Sequence, residues 1–354
     1  AEGIEVESGQ QKRFDNLLAQ AYGWRAYAHY DLLLYYGEDF TNPGALGVPY
    51  QDKVENSGNP TRLSTQETVA RIQEDLDTAS SLLSDDFTDK FSVTQDFITF
   101  LRARVALITE DWGSVITLTD GLINEYPLAD QQQYQAMFAG DADQTEVIYA
   151  YDNVNGFNLS MAGEFIFTGT GGNFIGMSNG LFDALVAAGD VRFAVNFDPQ
   201  SELGAGEITI NKYPSGGGTF INDFKLMRIS EAYLMRAEAF ARQGSFLPAA
   251  EATQAVKNAR AGSSVSATAY ANLNEALTDI KLERRLELCF EGHRYIDIKR
   301  YRSDLNEGLV RDPRDCDGSI PCEIPVSSRK WTFPIPQSET NANPVIQQNP
   351  QWDN

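Results

Sequence analysis

The chain has 354 residues, 42% hydrophobic and 11% aromatic, enough to bury a large core and too apolar for disorder. Its 50 acids against 28 bases leave a net charge of −22, which repels phosphate backbones and anionic headgroups and excludes nucleic acid as a partner. An acidic ligand is disfavoured too, unless bases cluster locally, and no apolar run is long enough to span a bilayer.

In chain order, the first predicted helix runs from Gln11 to Tyr36. Leu17, Ala21, Trp24, Ala28, Asp31 and Tyr35 follow the i, i+4, i+7 rhythm, with Asp31 the exception, and Gly37 ends the helix. A loop from Glu38 to Pro60 follows. Ser64-Thr65-Gln66-Glu67 reads as a capping box opening a helix to about Leu83. A second pair carries Phe97, Leu101, Val105 and Ile108, then Val115, Leu118 and Leu122, and stops at Tyr126-Pro127. In a third pair, Ile229, Tyr233, Ala237 and Phe240 form one stripe, Gly244 breaks it, and Ala252, Val256 and Ala259 continue on the next helix. A last helical stretch covers Leu273 to about Arg302, interrupted near Gly292.

Helix pairs with alanines at contact points and aromatics between them resemble tetratricopeptide repeats. The expected fold is therefore mostly α, a single domain over 1–354. Its helix pairs span about 11–83, 97–126 and 226–302. Between the second and third pairs lies an insertion of about 134–224, rich in Gly, Asn and Phe and poor in helical periodicity. Glu146 to Tyr151 and Glu207 to Ile210 read as short strands within it. An insertion of this size is expected to carry function. The remainder, 303–354, is a C-terminal strap. Its prolines and Asn-Pro pairs forbid helix, yet Trp331, Phe333, Ile335, Val345 and Ile346 want burial. Trp352 falls at an end expected to fray.

Four blocks stand out in order: Arg25-Ala26 with Asp31-Leu32 and Gly47-Val48-Pro49; the helix from Arg228 to Ala239; the charged run from Glu283 to Arg294 with Asp297 and Arg300; and the tail from Trp331 to Pro350. Together they resemble the SusD/RagB family, the lipid-anchored glycan-binding proteins of Bacteroidetes outer membranes. The resemblance implies a SusD-like fold. It implies a non-catalytic protein on the outer leaflet of the outer membrane, working with a SusC-like TonB-dependent transporter. A lipid anchor would precede Ala1, where the chain reads as a processed start. The acidic surface suits a neutral polysaccharide or oligosaccharide, and the marine-like composition suggests a laminarin-like β-glucan. A RagB-like peptide-binding role and a tetratricopeptide-type scaffold are the alternatives.

Glycans stack their C–H faces on aromatic rings, while Asn and Asp side chains read hydroxyls. In this family ligand contacts cluster just before the repeat-helix block. The expected ligand residues are therefore Tyr151, Asp152, Asn153, Asn155, Phe157, Asn158, Phe174 and Tyr213.

Glu283, Glu287 and Glu291 lie at successive i, i+4 positions and could suggest glycoside hydrolysis. The interleaved Arg284, Arg285, Arg294 and Arg300 favour an ion-pair network between helices, and neighbouring arginines lower a carboxyl pKa where a general acid needs it raised. No catalytic residue is assigned. His29 and His293 read as structural. Asp312, Asp315 and Asp317 offer oxygens for a structural Ca²⁺, but their spacing is not that of an EF-hand, and a solvated acidic loop is the plainer reading. No other cofactor is expected. Cys316 and Cys322 bracket a turn-rich loop suited to a disulfide, and Cys289 reads as a buried thiol.

Overall fold

The computed structural model describes residues 6–54, 58–84, 86–153, 165, 175–199, 208–214, 221–318 and 321–352. It is mostly helical and divides into two compact units, 1–118 with 327–354, and 119–326.

The first unit is built on α1 (Gln11–Tyr36), α2 (Thr65–Leu82) and α3 (Gln95–Ile108). Ser64 caps α2 as expected: its hydroxyl accepts from Glu67 N, and the Glu67 carboxylate accepts from Ser64 N at 2.8 Å. The buried face of α1 differs from the expected stripe. Ala19, Gly23, Ala26, Tyr30 and Leu33 are inside, whereas Leu17 is 60% exposed. Close approach selects the smallest residue at position 23. A Cβ on Gly23 would lie 2.6 Å from Val93 Cγ1. His29 is structural: its Nδ1 sits 2.8 Å from Arg25 O, its Nε2 accepts from Gln51 N, and its ring stacks on Tyr50.

The C-terminal strap closes this unit. Trp331 and Ile335 are buried as anchors, while Phe333 and Val345 keep much of their surface in water. Phe333 N donates to Tyr35 O at 2.9 Å, and Asn343 Nδ2 to Pro60 O at 2.8 Å. Trp352 does not fray: its Nε1 donates to Thr332 O, and Arg329 lies over its ring. The strap also holds one short helix, Gln337–Ala342, which the prolines had been expected to forbid. Pro336 sits at its N-cap, where no N–H is needed, and the helix stops before Asn343-Pro344.

Arg62 locks strap to body. Its guanidinium donates to Gly47 O, Leu46 O and Tyr36 O, and also to Gln347 O and Asn349 Oδ1. Burial among carbonyls pushes its pKa down to about 10.

The division between units falls within α4 (Trp112–Glu125). The second unit then adds α5 (Gln131–Gly140), β1 (Val147–Tyr151), α6 (Asn179–Ala188), α7 (Val191–Asn196), β2 (Phe224–Arg228), α8 (Ile229–Arg242), α9 (Phe246–Ala261), α10 (Leu273–Glu287) and α11 (Arg294–Leu305). α8 to α10 meet through Ala237, Ala241, Ala249, Ala252, Ala276 and Ile280, with Phe240, Phe246 and Tyr270 packed around them, the small-and-aromatic pattern of the repeat reading. Gly244 turns between α8 and α9 at a φ of +75°, which glycine adopts without strain.

The insertion is more ordered than its sequence suggests, since α5, α6 and α7 lie in it. Their runs are short, 6 to 10 residues, so helical periodicity has little length in which to appear. β1 pairs antiparallel with β2, a partner no local signal marked. The expected strand near Ile208 is one isolated bridge, Ile210 to Phe197. Further on, β3 (Leu309–Val310) pairs with β4 (Glu323–Ile324), and the Cys316–Cys322 disulfide, Cα atoms 5.9 Å apart, closes the loop between them.

Candidate functional site

The end of β1 carries three of the expected ligand residues, Tyr151, Asp152 and Asn153. Tyr151 faces Phe224 across the ladder and is 45% exposed. Asp152 follows it, also exposed. Asn153 is buried, and its backbone N–H donates to Asp223 Oδ1 at 3.0 Å. Asp223 N in turn donates to Asp141 Oδ2, and Lys225 binds Asp223 O while pairing with Asp141. This polar clamp ties the chain after β1 to the chain before β2 and fixes the backbone on which Tyr151 stands. Burial raises the Asp223 pKa, and the nearby Asp141 adds to the rise.

Tyr213 is not available to a ligand. It is fully buried, with its ring against Phe138 and Phe224. The bridge at Ile210 draws this segment inward, and Lys212 beside it is buried as well. Phe165 is another interior ring, packed edge-on to Phe290. Asn155, Phe157, Asn158 and Phe174 lie outside the described residues.

Asp312 binds Arg314 Nε and Nη2 at 2.8 and 2.7 Å, and the same guanidinium holds its pKa down at about 2. Asp315 accepts from the Asn179 backbone and side chain at the start of α6. Both aspartates thus bind protein groups, and among the described residues no group of three or more His, Cys, Asp or Glu is placed to hold a metal ion, Asp317 included.

The charged run forms the network its interleaving implied. Arg228, at the β2–α8 junction, donates to Glu146, Glu287 and Glu291 at 2.7–2.9 Å. Arg260 joins Glu146 and Glu287, Lys212 joins Glu291, and Arg192 joins Glu283 and Asp190. Burial alone would raise Glu287 and Glu291, but the surrounding guanidiniums outweigh it and hold both below the usual carboxylate range. A second cluster joins Arg300 and Tyr301 to Glu238, and Arg284 to Asp297. These carboxylates lie in the packed interior as partners of cations. Cys289 is a buried thiol bonded to Asn196 Oδ1.

Arg285 and Arg294 depart from the expected network. Neither has a hydrogen-bond or ion-pair partner among the described residues, and both line a cavity of about 250 Å³. Adjacent helical residues diverge by about 100°, so Arg284 and Arg285 cannot serve the same neighbour. That spacing was the available signal.

Two family models match the chain. One, described as the SusD family, covers residues 208–352, and the other, described as starch-binding associating with outer membrane, covers residues 2–107. Together they span well over half of the sequence, and the chain belongs to the SusD-like family. Solved structures agree in fold. A SusD superfamily protein from Bacteroides thetaiotaomicron is 21% identical, with a TM-score of 0.82 over 99% of this chain and 81% of that one. One from Bacteroides vulgatus is 22% identical, with a TM-score of 0.82 over 99% and 80%. A SusD-like carbohydrate binding protein from Bacteroides vulgatus is 21% identical, with a TM-score of 0.78 over 96% and 78%. No curated protein matches the chain.

Proposed function

We propose that this chain is a non-catalytic glycan-binding protein of the outer-membrane surface. It captures a neutral oligosaccharide or polysaccharide, a laminarin-like β-glucan being the best-suited class, and passes it to a SusC-like TonB-dependent transporter. The observation that carries the reading is Tyr151, a half-exposed ring held on a clamped backbone beside an exposed Asp152. A ring so placed offers its face to sugar C–H groups, with a carboxylate alongside for hydroxyls. The family matches and the name of the carbohydrate-binding relative support the same reading. So does the committed state of Glu283, Glu287 and Glu291, each ion-paired and buried away from any substrate.

Affinity electrophoresis against neutral and acidic polysaccharides tests the proposal. Retardation by a neutral β-glucan with no release of reducing ends is expected. Retardation by no glycan would overturn it and move weight to peptide ligands. Co-purification with the transporter tests the delivery step separately.

A further inference from the structure

The cavity beside Arg285 and Arg294 is a local exception to the acidity of the chain. It lies in the second unit, bordered by the first turn of α6, the end of α10, the start of α11 and the strand β3. Four guanidiniums line it, from Arg284, Arg285, Arg294 and Arg311, against three carboxylates, from Asp297, Asp312 and Asp315. Each carboxylate is already engaged: Asp297 by Arg284 and Arg300, Asp312 by Arg314, and Asp315 by Asn179. The cations are less fully matched. Arg284 is 2% exposed and spends Nε and Nη2 on Asp297, but its buried Nη1 has no partner among the described residues. Arg285 and Arg294 have none at all there. The unmatched buried N–H of Arg284 is costly, Arg285 and Arg294 reach solvent beside it with donors free among the described residues, and a planar fork of donors suits an oxyanion. The N-terminal turn of α6, through Ser178 and Leu181, adds the positive end of a helix dipole. Burial and mutual repulsion push the Arg294 pKa down to about 10, although much of that side chain reaches solvent, and burial lowers Arg285 too. A bound anion would relieve both.

We infer that this cavity is a binding site for a small organic oxyanion, a carboxylate or sulfate carried on a molecule of about monosaccharide size. Its volume of about 250 Å³ falls just below the ~300–1,000 Å³ of drug-sized ligand sites, which suits one acidic sugar unit rather than a chain. No residue lining the cavity belongs to the Tyr151 edge, and the inference does not depend on capture of a neutral glycan there.

Calorimetric titration with glucuronate and with glucose 6-sulfate, at matched ionic strength and with glucose as the uncharged control, tests it. Saturable binding of at least one acid and none of glucose is expected, and the acid that binds names the oxyanion. In the Arg285→Gln/Arg294→Gln variant, affinity should fall at least about tenfold, the equivalent of a lost charge-assisted hydrogen bond. Neither residue holds another described side chain through a hydrogen bond or ion pair, so the variant should fold. No binding of either acid, or equal affinity in the variant, would overturn the assignment. Should the variant fail to fold, phenylglyoxal labelling of the wild type decides: the acid should slow modification of Arg294, and an unchanged rate counts against the site.

Discussion

Arg228 and Glu287 meet at 2.8 Å with essentially no access to water, although 59 residues separate them. One comes from the junction of β2 and α8, the other from the last turn of α10. Their contact, shared with Arg260, Glu146 and Glu291, pins strand, repeat helix and charged helix at one buried point. Such a node holds the scaffold only while every member is paired.

Breaking it from one side should be severe. Glu287→Gln leaves Arg228 and Arg260 short of a countercharge, and a loss of about 3–5 kcal/mol is expected, as for other half-broken buried pairs. Urea unfolding of the purified variant measures it. A loss below about 1 kcal/mol would mean that the arginines find water or another carboxylate.

The second cluster sets acid stability. Arg300 outweighs the burial of Glu238 and holds its pKa at about 2, against 4.5 when unfolded. Between those values the unfolded chain binds a proton that the folded chain refuses. The stabilisation is therefore full above pH 4.5 and is lost as the pH falls toward 2. Glu283 opposes this, because burial raises its pKa. Urea midpoints followed downward from about pH 6 should fall, and Glu238→Gln should flatten that slope.

Arg62→Ala should loosen the C-terminal strap. It strips five acceptors of their donor, and about 3 kcal/mol is expected from leaving several buried carbonyls unmatched. Limited proteolysis should then cut within 327–352 before it cuts elsewhere. Arg62→Lys should rescue little, since an ammonium cannot span the same fork.

Tyr151 and Tyr213 should separate binding from folding. Tyr151→Ala is expected to weaken glycan binding by about 1–3 kcal/mol and leave the melting temperature nearly unchanged. Tyr213→Ala empties an interior site and should cost about 3–5 kcal/mol of stability. Equal glycan affinity in Tyr151→Ala would move the site away from β1.

Ser64→Ala removes the cap of α2 and should cost about 1 kcal/mol by thermal melting, with Glu67→Ala giving part of the same loss.

Much of this protein was legible in its sequence because the signals were local. The bounds of α1, the Ser64 box, the stop at Gly37 and the glycine break at Gly244 follow from backbone chemistry within a few residues. The four family blocks and the paired state of Glu283, Glu287 and Glu291 were legible too, since glutamates interleaved with arginines find partners when buried. Only the tertiary structure decided which face of α1 goes inside, because the Val93 side chain packs where only Gly23 leaves room for it. Only it could send Tyr213 to the core and leave Tyr151 at the surface, as β1 finds β2 some 70 residues away and one bridge at Ile210 turns a segment inward. And only it could leave Arg285 and Arg294 without a hydrogen-bond or ion-pair partner among the described residues, because where a guanidinium ends up depends on packing that no local pattern encodes.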